Sequence, residues 1–127
     1  MSAAPEERIK ELTAKMLRRK LFVVLSTPKA GPEQIVATLP AHLEYMIGLE
    51  KQGVLFASGP FADADGRSRG HGMTILRTTT MEEARKVAEA DPFVVQGLRA
   101  FDVREWTLME GSLGITVNFS DQSVQVI

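Results

Sequence analysis

Two imidazoles, a modest set of carboxylates and no thiol define the chemistry open to this chain. Its 127 residues contain His42 and His71 and no cysteine. Thiolate nucleophiles, disulfides and cysteine metal sites are therefore excluded together. A zinc or iron site would need mostly carboxylates, and no spacing of ligands suggests one, so neither metal nor cofactor is expected. His42 lies in "AHLEYMIGLEKQG" beside an apolar helical stripe. An imidazole there is the side chain best suited to move protons near neutral pH; the alternative is a hydrogen-bonded structural histidine at a helix edge. Asp91 is the second candidate. In "ARKVAEADPFVVQGL", Ala84, Val87 and Ala88 mark a buried stripe whose i+7 position is Asp91. A carboxylate at that phase points between helix and sheet, where it could orient an imidazole and stabilise its charged form. It could equally be the N-cap of a short helix that opens at Pro92.

Other residues are weaker candidates. Ser58 and Gly59, in "ASGP", could hydrogen-bond and line a ligand pocket, although Ser-Gly-Pro is also plain turn chemistry. Arg77 on the third strand and Arg99 before the fourth could bind a substrate carboxylate, with surface placement the default; Arg77 is the one expected with Ser58 and Gly59 at the substrate. Arg67, Arg69 and His71 surround loop glycines and could hold an anion, but a solvated loop is the simpler reading. "GRSRGHG" is no phosphate-binding fingerprint, because it follows no strand-to-helix turn and lacks the lysine. A formal net charge of -1 gives no basic field for nucleic acid or anionic membrane. "MSAAPEERIKELTAKMLRRK" lacks the apolar core of a signal peptide, and no apolar run approaches membrane-spanning length. A cytoplasmic protein with a small-molecule substrate is the expectation.

The elements that must position His42 and Asp91 follow from periodicity. Residues 3 to 19 read as a helix with a thin apolar stripe of Ile9, Leu12 and Met16, closed by Arg18, Arg19 and Lys20. "LFVVLS" reads as a strand with both faces apolar, ended by Pro28, Gly31 and Pro32. "TLPAHLEYMIGLEKQG" reads as a helix with Pro40 near its start and Gly53 just past its end. Two strands follow, "VLFASGP" and "MTILRTT", joined by the long loop "FADADGRSRGHG". "TMEEARKVAEAD" opens with Thr80 and Glu83 in capping-box spacing, and "FDVREWTLM" supplies a fourth strand. The order β-α-β-β-α-β is that of an α+β, ferredoxin-like protomer with a four-stranded antiparallel sheet. Helices cover one face of such a sheet. Strands apolar on both faces need a second cover. The N-terminal helix or the tail could supply it, but one helix with a thin stripe covers little sheet, and a second copy of the sheet, making a homodimer or higher homo-oligomer, is expected. Three segments are expected: an N-terminal helical extension (1–19), the α+β domain (20–108) and a C-terminal β extension (109–127) of two short strands around "SDQS".

"AHLEYMIGLEKQGVLFASGPF", "MTILRTTTMEEARKVAEADPFVVQGL" and "FDVREW" together resemble the YciI (YCII-related) family over about residues 20 to 107. The elements are His42-Leu43 on the first helix, Gly59-Pro60 after the second strand, Asp91-Pro92-Phe93, and Gly97-Leu98. Each is common alone; the four in this order are a specific combination. The resemblance implies a dimeric α+β barrel of ferredoxin-like protomers, shared with muconolactone isomerase-like proteins. It also implies an active His-Asp pair, carried onto His42 and Asp91, and includes a branch that eliminates HCl from a chlorinated hydroxyquinol. Relatives often carry an arginine three residues before the histidine, where this chain has Leu39. The function expected is that of a small cofactor-independent acid–base enzyme, a lyase or isomerase acting on a small cyclic or enolisable metabolite. The alternative is a non-catalytic binding or assembly module of the same fold.

Overall fold

The computed structural model describes residues 4–126. The expected start of the first helix at residue 3 and the last tail residue, 127, lie outside the described residues. The chain divides into two compact units, one made of the described parts of residues 1–19 and 108–127, the other Lys20–Thr107.

In the first unit, α1 is shorter than its sequence suggests. It spans Pro5–Thr13 and buries no residue. Without a packed face nothing holds the last turns, and Arg18 adopts the left-handed conformation (φ 51°), which a helix cannot continue through. Arg19 and Lys20, expected at a helix end, instead open β1 (Arg19–Pro28). The tail forms two short antiparallel strands that pair Ile115 with Val126 and Val117 with Val124.

The second unit continues from β1 through α2 (Pro32–Lys51), β2 (Leu55–Pro60), β3 (Gly72–Leu76), α3 (Met81–Glu89), α4 (Pro92–Val95) and β4 (Arg99–Leu108). The sheet order is β2-β3-β1-β4. β2 pairs antiparallel with β3, and β3 with β1. Each helical crossover thus skips one strand, which is the split βαβ topology of an α+β, ferredoxin-like fold. The core lies between sheet and helices: Phe22 and Val24 from β1, Leu55, Leu76 and Val103 from the other strands, Met46 and Leu49 from α2, Ala84 and Ala88 from α3. The neighbouring positions of β1 point the other way, with Val23 opposite Ile75 and Leu25 opposite Met73. Both faces of the sheet are therefore apolar.

Two boundaries in this unit differ from expectation, each for its own reason. α2 begins at Pro32, six residues before the expected start, and Pro40 lies inside it. Either proline can serve as a first-turn residue. Pro40 removes one helical hydrogen bond, tolerable here because the carbonyl it would serve belongs to the exposed Val36. β3 ends at Leu76 rather than Thr79, since Arg77 N–H donates to Val54 O outside the ladder (2.8 Å). Thr80 caps α3 by accepting from Glu83 N–H (3.1 Å). The returning bond is displaced by one residue, because the Glu83 carboxylate takes Thr79 N–H (3.0 Å) and its hydroxyl (2.8 Å). Among the described residues no helix is long and apolar enough to cross a membrane.

Candidate active site

α2 is pinned to the α3–α4 segment by three polar side chains spaced i, i+4, i+7. Thr38 Oγ1 donates to Gln96 Oε1 (3.0 Å), His42 Nδ1 lies 2.9 Å from both Asp91 oxygens, and Tyr45 OH donates to Val87 O (2.7 Å). On a helix this spacing is a single stripe. Thr38 is buried and His42 and Tyr45 are half-buried, so all three bonds are shielded from water. Burial pushes the Tyr45 phenol above its ordinary range, and the nearby Asp91 charge pushes it the same way.

Asp91 is both cap and partner. Its backbone is extended (φ -60°, ψ 129°), and its Oδ1 accepts Phe93 N–H at 2.9 Å to start α4. Gly97 ends that turn at φ 71°, with its N–H on Val94 O (2.9 Å) and Leu98 N–H on Phe93 O (2.8 Å). The carboxylate is thereby held by backbone at its own position and one turn beyond. An ionised carboxylate only accepts hydrogen bonds. His42 therefore donates from Nδ1, and in the neutral imidazole Nε2 carries the lone pair. The His42–Asp91 pair is 13% and 14% exposed at its side chains. The His42 ring also packs on Phe93, centroids 4.5 Å apart and tilted by 35°, and Phe93 is fully buried.

His42 opens onto a cleft of about 390 Å³, lined also by Leu39, Leu43 and Met46 of α2, Ser58 and Gly59 of β2, Met73 and Thr74 of β3, and Arg99 of β4. Asp91 does not line it; it borders a smaller void with Tyr45 and Met46. The cleft thus meets the imidazole and not the carboxylate. Ser58 and Gly59 share the cleft with His42 as expected from the sequence. Arg77 does not. Its guanidinium donates to Leu55 O (2.9 Å) and lies over Phe56, 5.1 Å from the ring centre. These contacts lie beside the irregularity in β2 between Leu55 and Ala57, so Arg77, expected at the substrate, sits away from the cleft that holds His42. The cation on the cleft is Arg99, with its guanidinium 4.2 Å from the Phe93 ring centre. Leu39, where the family resemblance looks for an arginine, lines the cleft with an aliphatic side chain. In the long loop, Arg69 pairs with Asp63 and Asp65, and Arg67 N–H donates to Asp65 Oδ1 (3.0 Å). Within that loop Arg69 is thus held by two carboxylates. Among the described residues no three His, Asp or Glu side chains gather as a metal site.

The sequence singled out Arg77 for the substrate site, with neither Phe93 nor Arg99 placed there. The signal for Phe93 was the aromatic directly after the Asp-Pro cap. No local signal separates two arginines flanking strands; strand order does.

Fold and site together define an α+β protein with a half-buried His-Asp pair whose imidazole borders a cleft. The chain belongs to the YCII-related domain family, which matches residues 20–107. It is 30% identical over 88 residues to the uncharacterised protein YjpA of Bacillus subtilis strain 168, covering 69% of this chain and 93% of that protein. Among solved structures it is similar to 5-chloro-2-hydroxyhydroquinone dehydrochlorinase (TftG) of Burkholderia phenoliruptrix AC1100 in complex with 2,5-dihydroxybenzoquinone. The two share 25% identity at a TM-score of 0.58, over 68% of this chain and 92% of that one.

Proposed function

We propose that this chain is a cofactor-independent acid–base enzyme, a lyase or isomerase for a small cyclic or enolisable molecule, with His42 as base and Asp91 as its positioning partner. The observation that carries this is the two-sided environment of His42: Nδ1 at 2.9 Å from both Asp91 oxygens, with the ring bordering the cleft. Nε2 is then the nitrogen left to take a proton from a ring hydroxyl or an acidic ring carbon, and Asp91 stabilises the imidazolium that forms. In an elimination the electrons released by that deprotonation expel a leaving group from a neighbouring carbon. The net change is loss of HX, with no oxidant or reductant consumed. Ser58 and the Gly59 backbone are the polar groups proposed to hold the substrate, and similarity to a dehydrochlorinase supports a ring substrate. The sheet face of Val23, Ile75 and Trp106 is proposed to pack on a second copy.

The test is turnover of a panel of chlorinated hydroxyquinols, catechols and small lactones, followed by chloride release or ultraviolet absorbance. His42→Gln is expected to abolish any activity found. Undiminished turnover by that variant would remove His42 as the base.

A further inference from the structure

Arg99 is out of place as a structural arginine. Its Nε is buried and, among the described residues, has no hydrogen-bond partner. A buried, unpaired donor on a charged group is costly, and with Nε closed off the guanidinium meets the cleft through its Nη end, beside Gly72. Burial disfavours the charge, and the carboxylate of Asp91 only partly offsets this. The guanidinium keeps its proton regardless. The Phe93 face 4.2 Å away supports one side of the guanidinium plane. It leaves the in-plane donors, which bind oxyanions two at a time.

The surroundings agree. Of the residues lining the cleft, Arg99 alone carries a permanent charge, and none contributes a carboxylate. A Cβ on Gly72 would stand 3.9 Å from Arg99 Nη1 and 3.4 Å from Gly59 O, so the missing side chain keeps the space between them open. A neutral ligand would leave the cation uncompensated in a mostly apolar cleft, whereas a singly charged anion would balance it. The counter-charge of Asp91 is engaged with His42.

We infer that Arg99 is the substrate-binding cation of this cleft and that the ligand it selects is a small planar oxyanion, a carboxylate or an ionised ring hydroxyl, seated between Arg99 and His42. This deepens the acid–base reading and rests on it for the placement of the reacting carbon beside His42. During deprotonation Arg99 would hold the negative charge that develops on the ring oxygen, without itself exchanging a proton.

The experiment titrates the full chain with benzoate and neutral benzamide, and with 4-nitrophenolate and neutral nitrobenzene, following arginine Nε–H signals by nitrogen-15 NMR. At least one anion is expected to shift the Arg99 signal, assigned by its loss in Arg99→Lys, and to bind about tenfold or more tighter than its neutral partner. Preference for benzoate identifies a carboxylate site, and preference for 4-nitrophenolate a ring-oxyanion site. Arg99→Gln is expected to bring the preference to about one, while His42→Gln keeps it. Equal binding of charged and neutral probes, an unmoved Arg99 signal, or a preference that survives Arg99→Gln would each overturn the proposal. The preference for charged over neutral probes is read on the wild type, so the test stands even if a variant fails to fold. It needs no turnover, so failure of the acid–base reading appears separately, as activity that survives His42→Gln.

Discussion

Asp91 holds His42 and the start of α4 with one carboxylate: both oxygens lie 2.9 Å from His42 Nδ1, and Oδ1 also takes the Phe93 N–H. Capping and chemistry therefore share a residue, and two substitutions separate them. Asn caps about as well as Asp, so Asp91→Asn should melt close to the wild type while turnover falls about a hundredfold or more. Asp91→Ala loses the cap as well and strands a half-buried imidazole N–H. It should cost about 2 kcal/mol in urea unfolding. A nitrogen-15 spectrum of His42 should show the Nδ1–H tautomer in the wild type, with that preference lost in Asp91→Asn.

Phe93 joins the core to the site: it is fully buried, with the His42 ring 4.5 Å and the Arg99 guanidinium 4.2 Å from its ring centre. Phe93→Ala should destabilise by about 3–5 kcal/mol, measured by denaturant unfolding. Phe93→Leu should retain the fold, yet raise KM and lower kcat together, since both polar partners lose the surface they rest on.

Tyr45 predicts an alkaline limb. Its folded-state pKa is raised, first by burial and then by Asp91, above the ordinary value of 10.0. The neutral phenol's contribution is fully present below about pH 10 and is lost as pH rises through the folded pKa. Stability should fall over that range in the wild type and fall less steeply in Tyr45→Phe. The same variant should cost about 1 kcal/mol at neutral pH through the lost bond to Val87 O.

Arg77 should behave as a brace. Arg77→Gln removes the bond to Leu55 O and the contact with Phe56. A loss of about 0.5–1.5 kcal/mol in stability is expected, with KM and kcat unchanged. A rise in KM without a change in melting temperature would return it to the binding site.

The second sheet face predicts assembly. Val23, Met73, Ile75 and Trp106 border a shared surface depression on that face, and Trp106 remains 37% exposed. Light scattering at micromolar concentration should give a dimer, and Trp106→Glu should give a folded monomer with an unchanged circular dichroism spectrum. A monomeric wild type would refute the packing.

Much of this was legible in the chain itself, and the reason is local. Alternation and helical phase are properties of neighbouring residues. Thus "LFVVLS" announces a strand with two apolar faces, and the step from Ala84 through Val87 and Ala88 to Asp91 marks a carboxylate turned inward. The order of strands and helices, and the pairing of His42 with Asp91, could be read from those signals joined to a family pattern. Helix ends were less legible. Pro32 and Pro40 are equally good first-turn residues; in the fold the helix starts at Pro32, with Thr38 inside it and its hydroxyl on Gln96 just past α4.

What only the tertiary structure decided was which charges face the cleft. Arg77 and Arg99 each flank a strand and look alike in sequence. The order β2-β3-β1-β4 and the packing of α2 on α4 send Arg77 to the β2 backbone and Arg99 to the cleft wall beside Phe93. Residue type determined that a proton carrier and a cation were at hand. Their meeting depends on contacts 49 residues apart for His42 and Asp91 and on burial of the Phe93 ring beside His42 and Arg99, and no local periodicity encodes distances of that kind.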